Sequence, residues 1–166
     1  MDLKQEIADE LKRLAGFTTV HPKTVALSGP DRIDIEIDFT AVDSMSCSLR
    51  EIRLHVPSLV GCHVDTLKSW AQSLSNRVNY LLENLGPIEI DTNAGTVLIR
   101  STPPDQQLDG TQFYEILLES NTTGNFLLRR YESVKGTSGR TQVDMQVTHE
   151  VLKKLVSDLV ETVPAP

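Results

Sequence analysis

Arg32-Ile33-Asp34-Ile35-Glu36-Ile37-Asp38-Phe39-Thr40 is the stretch that decides the fold class. Ile33, Ile35, Ile37 and Phe39 alternate with Asp34, Glu36 and Asp38, and a period of two places the apolar set on one side of a pleated strand and the acids on the other. A strand buried on one face and wet on the other belongs to an antiparallel, one-sided sheet rather than to a parallel sheet covered on both faces. A short strand, Val25 to Ser28, precedes it. After a turn at Asp43-Ser44 comes Ser46 to Val56, where Cys47 and Leu49 are out of phase with Ile52, Leu54 and Val56. That change of phase predicts a bulge or bend near Arg50-Glu51.

The next element changes period. Val64, Leu67, Ala71, Leu74, Val78, Leu81 and Leu85 recur at alternating spacings of three and four, Trp70 and Leu82 widen the stripe, and Gly86-Pro87 follows as a stop signal. The pattern predicts a helix over Asp65–Leu85, on the order of 30 Å long at ~1.5 Å per residue, as the central spine of the fold. Ile88 to Asp91 and Thr96 to Arg100 flank Thr92-Asn93-Ala94-Gly95 as a hairpin. Further strands are expected at Thr111–Glu119, Asn125–Val134 and Thr141–Val147, separated by Ser101–Gly110, by Asn121–Gly124 and by the polar loop Lys135–Gly139.

Helices close both ends. Leu3, Ile7, Leu11 and Leu14 share a narrow face between Asp2, whose spacing to Gln5 suits a capping box, and Gly16. At the other end Thr148 is the expected N-cap of a helix running to about Thr162, with Val147 and Leu152 placed as a hydrophobic staple. The order α-βββ-α-βββββ-α gives an α+β fold: a two-layer, mainly antiparallel sheet packed on a long central helix. One globular domain over residues 1–166 is expected, with 1–16 as its N-terminal helix and 164–166 as a loose tail.

Composition narrows the function classes. The 166 residues carry 16 Lys and Arg against 23 Asp and Glu, a net charge of −7. Residues 1–85 hold 9 basic and 12 acidic side chains and residues 86–166 hold 7 and 11, so neither half supplies a basic surface for a phosphate backbone. No nucleic-acid partner is expected. No run of about 18 apolar residues occurs, and Met1 to Glu6 lacks both the basic start and the apolar core of a secretory leader, so neither a membrane span nor secretion is expected. Cys47 and Cys62 then read as reduced thiols of a cytoplasmic protein.

The chemical motifs are sparse. Gly136-Thr137-Ser138-Gly139 joins two strands, whereas a phosphate-binding loop needs a following helix. Cys62-His63 precedes the long helix, whose N-terminus could lower a thiol pKa, but adjacent residues seldom align for proton transfer and no third orienting residue is visible. His21, His55, His63 and His149 form neither an i, i+4 pair nor a Cys-x-x-Cys unit, so no metal or other cofactor is assigned. Asp34, Glu36 and Asp38 share a strand face about 7 Å apart, where cross-strand pairing with Arg50 and Arg53 accounts for them. Glu115, Glu119, Arg129, Arg130, Glu132 and Arg140 read as a second ladder of paired charges, with Arg129 and Arg130 on opposite faces. No catalytic residue is assigned.

The element order, small size, acidic balance and amphipathic last helix resemble, in layout, the small acidic chaperones of type III secretion. That resemblance implies a non-enzymatic interaction module, chaperone- or adaptor-like, with a protein partner or self-association as a homodimer. The apolar arc of the last helix covers roughly half its circumference, wider than the ~100° of a surface helix. Its edge, Val156, Val160 and Val163, is therefore the expected interaction surface. The alternative is a small-molecule-binding protein or enzyme with an apolar pocket between a curved sheet and the helix at 65–85, a layout shared with hot-dog-type thioesterases. Its only candidate carboxylate, Asp65, is already explained as an N-cap.

Overall fold

The computed structural model describes residues 2–81, 84–102, 105–108, 110–121 and 125–165. Leu82 of the expected helical stripe, Pro103-Pro104, Thr122 to Gly124 and the final Pro166 lie outside the described residues. Among the described residues three α-helices, α1 (Leu3–Arg13), α2 (Val64–Arg77) and α3 (His149–Glu161), accompany ten strands. The strands are β1 (Thr18–Ser28), β2 (Asp34–Val42), β3 (Ser46–His55), β4 (Asn84–Asp91), β5 (Thr96–Thr102), β6 (Asp105–Gln107), β7 (Gly110–Glu119), β8 (Phe126–Val134), β9 (Thr141–Val143) and β10 (Met145–Thr148). All strand pairs are antiparallel. The mixed α+β class with an antiparallel sheet is thus as expected.

The sheet runs β1-β2-β3-β8-β7-β5-β4, with β6 on β7, β9 on β8 and β10 on β3. One transverse row fixes its register: Val25, Ile37, Ile52, Leu128, Ile116, Ile99 and Ile88 sit opposite one another across seven strands. All face the core, and all but Ile88 are buried. A slip of one residue on any strand would turn its apolar set to the wrong side.

The bulge falls where the change of phase placed it. Asp38 pairs with Glu51 and Phe39 with Leu49, so Arg50 is the extra residue of β3; Thr40 is skipped on β2 immediately afterwards. The far edge of β3 then forks. Its Ile52–Leu54 segment pairs with β8 and its Ser46–Leu49 segment with β10. Asp144, between β9 and β10, ties the fork to the bulge by accepting from Thr40 Oγ1 (2.9 Å) and Arg50 Nη1 (3.2 Å), while Gln142 Nε2 donates to the Arg50 carbonyl (2.9 Å). This polar junction at Asp144 is why the expected strand Thr141–Val147 is two strands.

The central helix is shorter than its apolar spacing suggests. α2 has 14 residues, ~21 Å at the usual rise, and ends at Val78, which leaves the helical region (φ −95°, ψ 83°). Two bonds catch the chain there: Arg77 Nε donates to Asp158 Oδ1 (2.9 Å) and Tyr80 Oη to Asp158 Oδ2 (2.6 Å), both on α3. Leu85, Gly86 and Pro87 belong to β4, an edge strand, where a proline is tolerated. The helical layer is therefore shared: α2 packs on β4, β5 and β7, while α3 lies against α1, α2 and β10. His63, not Asp65, caps α2, its Nδ1 accepting from Asp65 N (3.1 Å). At α1, Asp2 caps as expected, but Gln5 donates to Asp9 instead of completing the box. Thr148 caps α3 and Val147 and Leu152 are both buried, as the staple requires.

The β1–β2 connection holds the backbone's strained point. Asp31 (φ 55°) and Arg32 (φ 64°) both take left-handed conformations in a tight turn closed by Ile33 N to Pro30 O (3.1 Å). A hairpin turn with two left-handed residues favours glycine at the second. Arg32→Gly should therefore raise stability by about 0.5–1 kcal/mol; a lower midpoint in urea would show that the arginine side chain contributes more than its backbone costs. In the core, Leu74→Ala should lower stability by about 2–5 kcal/mol, since Leu74 is 0 % exposed.

Candidate functional site

The face of the sheet opposite the core row is lined by three parallel rows of side chains. The middle row, taken from β2 to β4, is Glu36, Arg53, Leu127, Leu117, Leu98 and Glu89. Its three leucines, on the adjacent strands β8, β7 and β5, are half-buried. Each is the centre of an uninterrupted apolar triplet, Phe126-Leu127-Leu128, Ile116-Leu117-Leu118 and Val97-Leu98-Ile99, whose outer members point into the core. A triplet of this kind breaks strict alternation and so marks a strand with apolar groups on both faces. That signal was available in the sequence; the adjacency of the three leucines depends on strand order and was not.

On one side of the leucines runs a ladder of ion pairs. Asp38 sits opposite Glu51, and Arg53 Nη1 reaches both, at 2.7 Å each. Arg129 Nη2 meets Glu51 (3.3 Å), Glu115 lies opposite Arg129, and Arg100 Nε reaches Glu115 (3.2 Å). Arg140 folds over from the β8–β9 loop, pairing with Glu115 and stacking on the Tyr131 ring at 4.0 Å. The expected pairing of Asp34, Glu36 and Asp38 with Arg53 is therefore realised for Glu36 (3.5 Å) and Asp38, whereas Arg50 leaves the ladder for Asp144. Arg129 and Arg130 do diverge, Arg130 lying over Tyr114 (4.3 Å) on the opposite face.

Burial pulls the Asp38 carboxyl upward, but hydrogen bonds from Arg53 and Thr24 more than offset it and hold it below the usual range. The hydrogen bond that Arg53 donates to Asp38, aided by the one to Glu51, holds its guanidinium more firmly protonated than usual. A hollow of about 210 Å³ opens beside this cluster, floored by Leu117 and Leu127 and walled by Glu36, Glu51, His55, Glu119 and Arg129. Arg129 Nε is enclosed there without a hydrogen-bond partner.

The other sequence candidates are dispersed. Cys47 is buried, its thiol pushed up to about 12 by desolvation and by the charge of Asp43; burial also raises Cys62. Neither has the lowered pKa of a nucleophile. His63 is engaged in its cap, and among the described residues no group of three or more His, Cys, Asp or Glu is placed to hold a metal ion. Among the described residues, Leu67, Trp70, Ala71 and Leu74 of α2 face the sheet side of the core and are each 0 % exposed. Trp70 Nε1 donates to Thr162 Oγ1 (3.1 Å) and its ring lies 5.7 Å from Phe126.

Val156 is 0 % exposed and Val160 8 %; only Val163 is half-buried, at the mouth of a cleft shared with Pro30, Asp31 and Ser58. The arc is wide because α3 packs against α1, α2 and the sheet together, so its extra apolar width faces neighbours within the chain. No family model, curated protein or solved structure matches the chain. None of its helices, among the described residues, is long and apolar enough to cross a membrane.

The sign of the Asp38 shift sets a test. A carboxyl held below its unfolded value stabilises the fold above about pH 4 and loses that contribution as the pH falls through its lowered value. Asp38→Asn should lower stability at pH 7 and flatten its decline between pH 5 and pH 2; unchanged slopes in acid titrations would remove Asp38 from the ladder's energetics.

Proposed function

We propose that the protein is a non-enzymatic interaction module, adaptor- or chaperone-like, which presents the helix-free face of its sheet to a protein partner. The observation that carries this reading is the row Leu98–Leu117–Leu127: three leucines aligned across neighbouring strands on a face covered by none of the helices. An apolar row rimmed by polar groups is the usual anatomy of an interaction surface. The cleft at Val160 and Val163 is a smaller, secondary candidate. The acidic balance and the two free thiols suit the reducing cytoplasm as its location.

A second reading places a small molecule in the hollow of about 210 Å³ beside Arg129, favoured by its apolar floor of Leu117 and Leu127 and its polar walls. The two separate cleanly. Affinity capture from the native host with the wild type and with Leu117→Gln, each shown to be folded by its melting curve, should yield a stoichiometric protein that the variant loses. Retention of the same protein by the variant would remove this face from the interaction. A co-purifying small molecule lost on Arg129→Gln, with no protein present, would favour the second reading.

A further inference from the structure

We infer that the partner segment is a cationic amphipathic helix laid across the strands along Leu127, Leu117 and Leu98, an assignment that rests on this face being the interaction surface. Spacing supplies the first argument. Adjacent strands lie ~4.8 Å apart, so the three leucines span about 10 Å, and apolar residues at i, i+3 or i+4, and i+7 of a helix span about 10.5 Å along its axis. One helical stripe therefore meets all three leucines in register, the arrangement of an amphipathic helix in a groove.

Charge supplies the second. On the side away from the ion-pair ladder, the leucines are bordered by a row in which Asp34 lies opposite His55, Thr96 opposite Glu119, and Asp91 opposite Thr96. That row holds three carboxylates and no Lys or Arg. Along the leucine row itself Glu89 (side chain 60 % exposed) follows Leu98 directly, and at the other end Glu36 (49 %) stands one strand beyond Arg53; their arginines hold them only at 3.6 and 3.5 Å. The arginines of the face are all engaged with carboxylates already. The surplus is negative, and lysines flanking an apolar stripe can lay their stems on the leucines while their ammonium groups reach this rim. A second copy of the chain would bring the same surplus against itself, which disfavours a symmetric pairing through this face.

The probe is a labelled 18-residue helical peptide with Leu at positions matching i, i+4 and i+7 and Lys elsewhere on its flanks, followed by fluorescence anisotropy. It should bind the wild type, weaken with added salt, and lose about tenfold or more in affinity on Leu117→Gln. The pair Asp34→Asn with Glu119→Gln should weaken it by several-fold, whereas Asp9→Asn with Glu10→Gln on α1, an equal change in net charge, should leave it unaltered. Equal weakening by both pairs, or equal binding of the peptide with Glu in place of Lys, would overturn the cationic assignment. If no peptide binds but the host protein is still lost on Leu117→Gln, the face remains an interaction surface and only the cationic helix fails. A wild-type dimer in sedimentation that dissociates on Leu117→Gln would assign the face to a second copy and overturn the proposal.

Discussion

The structure depends on one constraint above the others: seven strands must agree on which residue belongs to the row from Val25 to Ile88. Aliphatic side chains at Ile37, Ile52, Leu128, Ile116 and Ile99 pack shoulder to shoulder beneath the helices, and the neighbouring positions follow by counting in twos from that line as far as the bulge at Arg50. The leucine row on the opposite face lies one residue away from it on each strand. The same register that closes the core thus aligns Leu98, Leu117 and Leu127, and neither row can be shifted without the other.

Much of this was legible in local pattern. The alternation of Ile33 to Phe39, the change of phase at Arg50 and the Thr148 cap each depend on residues close in sequence, and each is found where its pattern places it. The errors arose where distant residues decide. Apolar spacing continues past Arg77, yet α2 stops there because Asp158, some eighty residues on, binds both Arg77 and Tyr80. The broad arc of α3 meets two helical neighbours, α1 and α2, that could not be read from its own sequence. Local propensity is a weak prior that tertiary partners override.

The charged ladder shows how a sheet face can be acidic without being unstable. Asp38 and Glu51 lie opposite one another, a repulsive arrangement, and Arg53 reaches both carboxylates and turns the repulsion into a clamp. Glu115 is handled in the same way by Arg100 and Arg140, the latter held in place by stacking on Tyr131. These arginines neutralise one flank of the leucine row and leave the other flank, where His55 is the only basic group among the described residues, electrostatically open. The asymmetry gives the face a direction.

The fork in β3 has a consequence for biosynthesis. Cys47 meets Val147 across the β3–β10 pair, a separation of 100 residues. At ribosomal rates of ~5–20 residues per second, that separation takes on the order of 5–20 s to bridge. Throughout that interval the Ser46–Leu49 segment, paired with β2 on one side, keeps its other edge open in the nascent chain. The interval of greatest vulnerability to misassembly is therefore set by the polypeptide's own topology, and it closes only when β10 and the helix after it have been made.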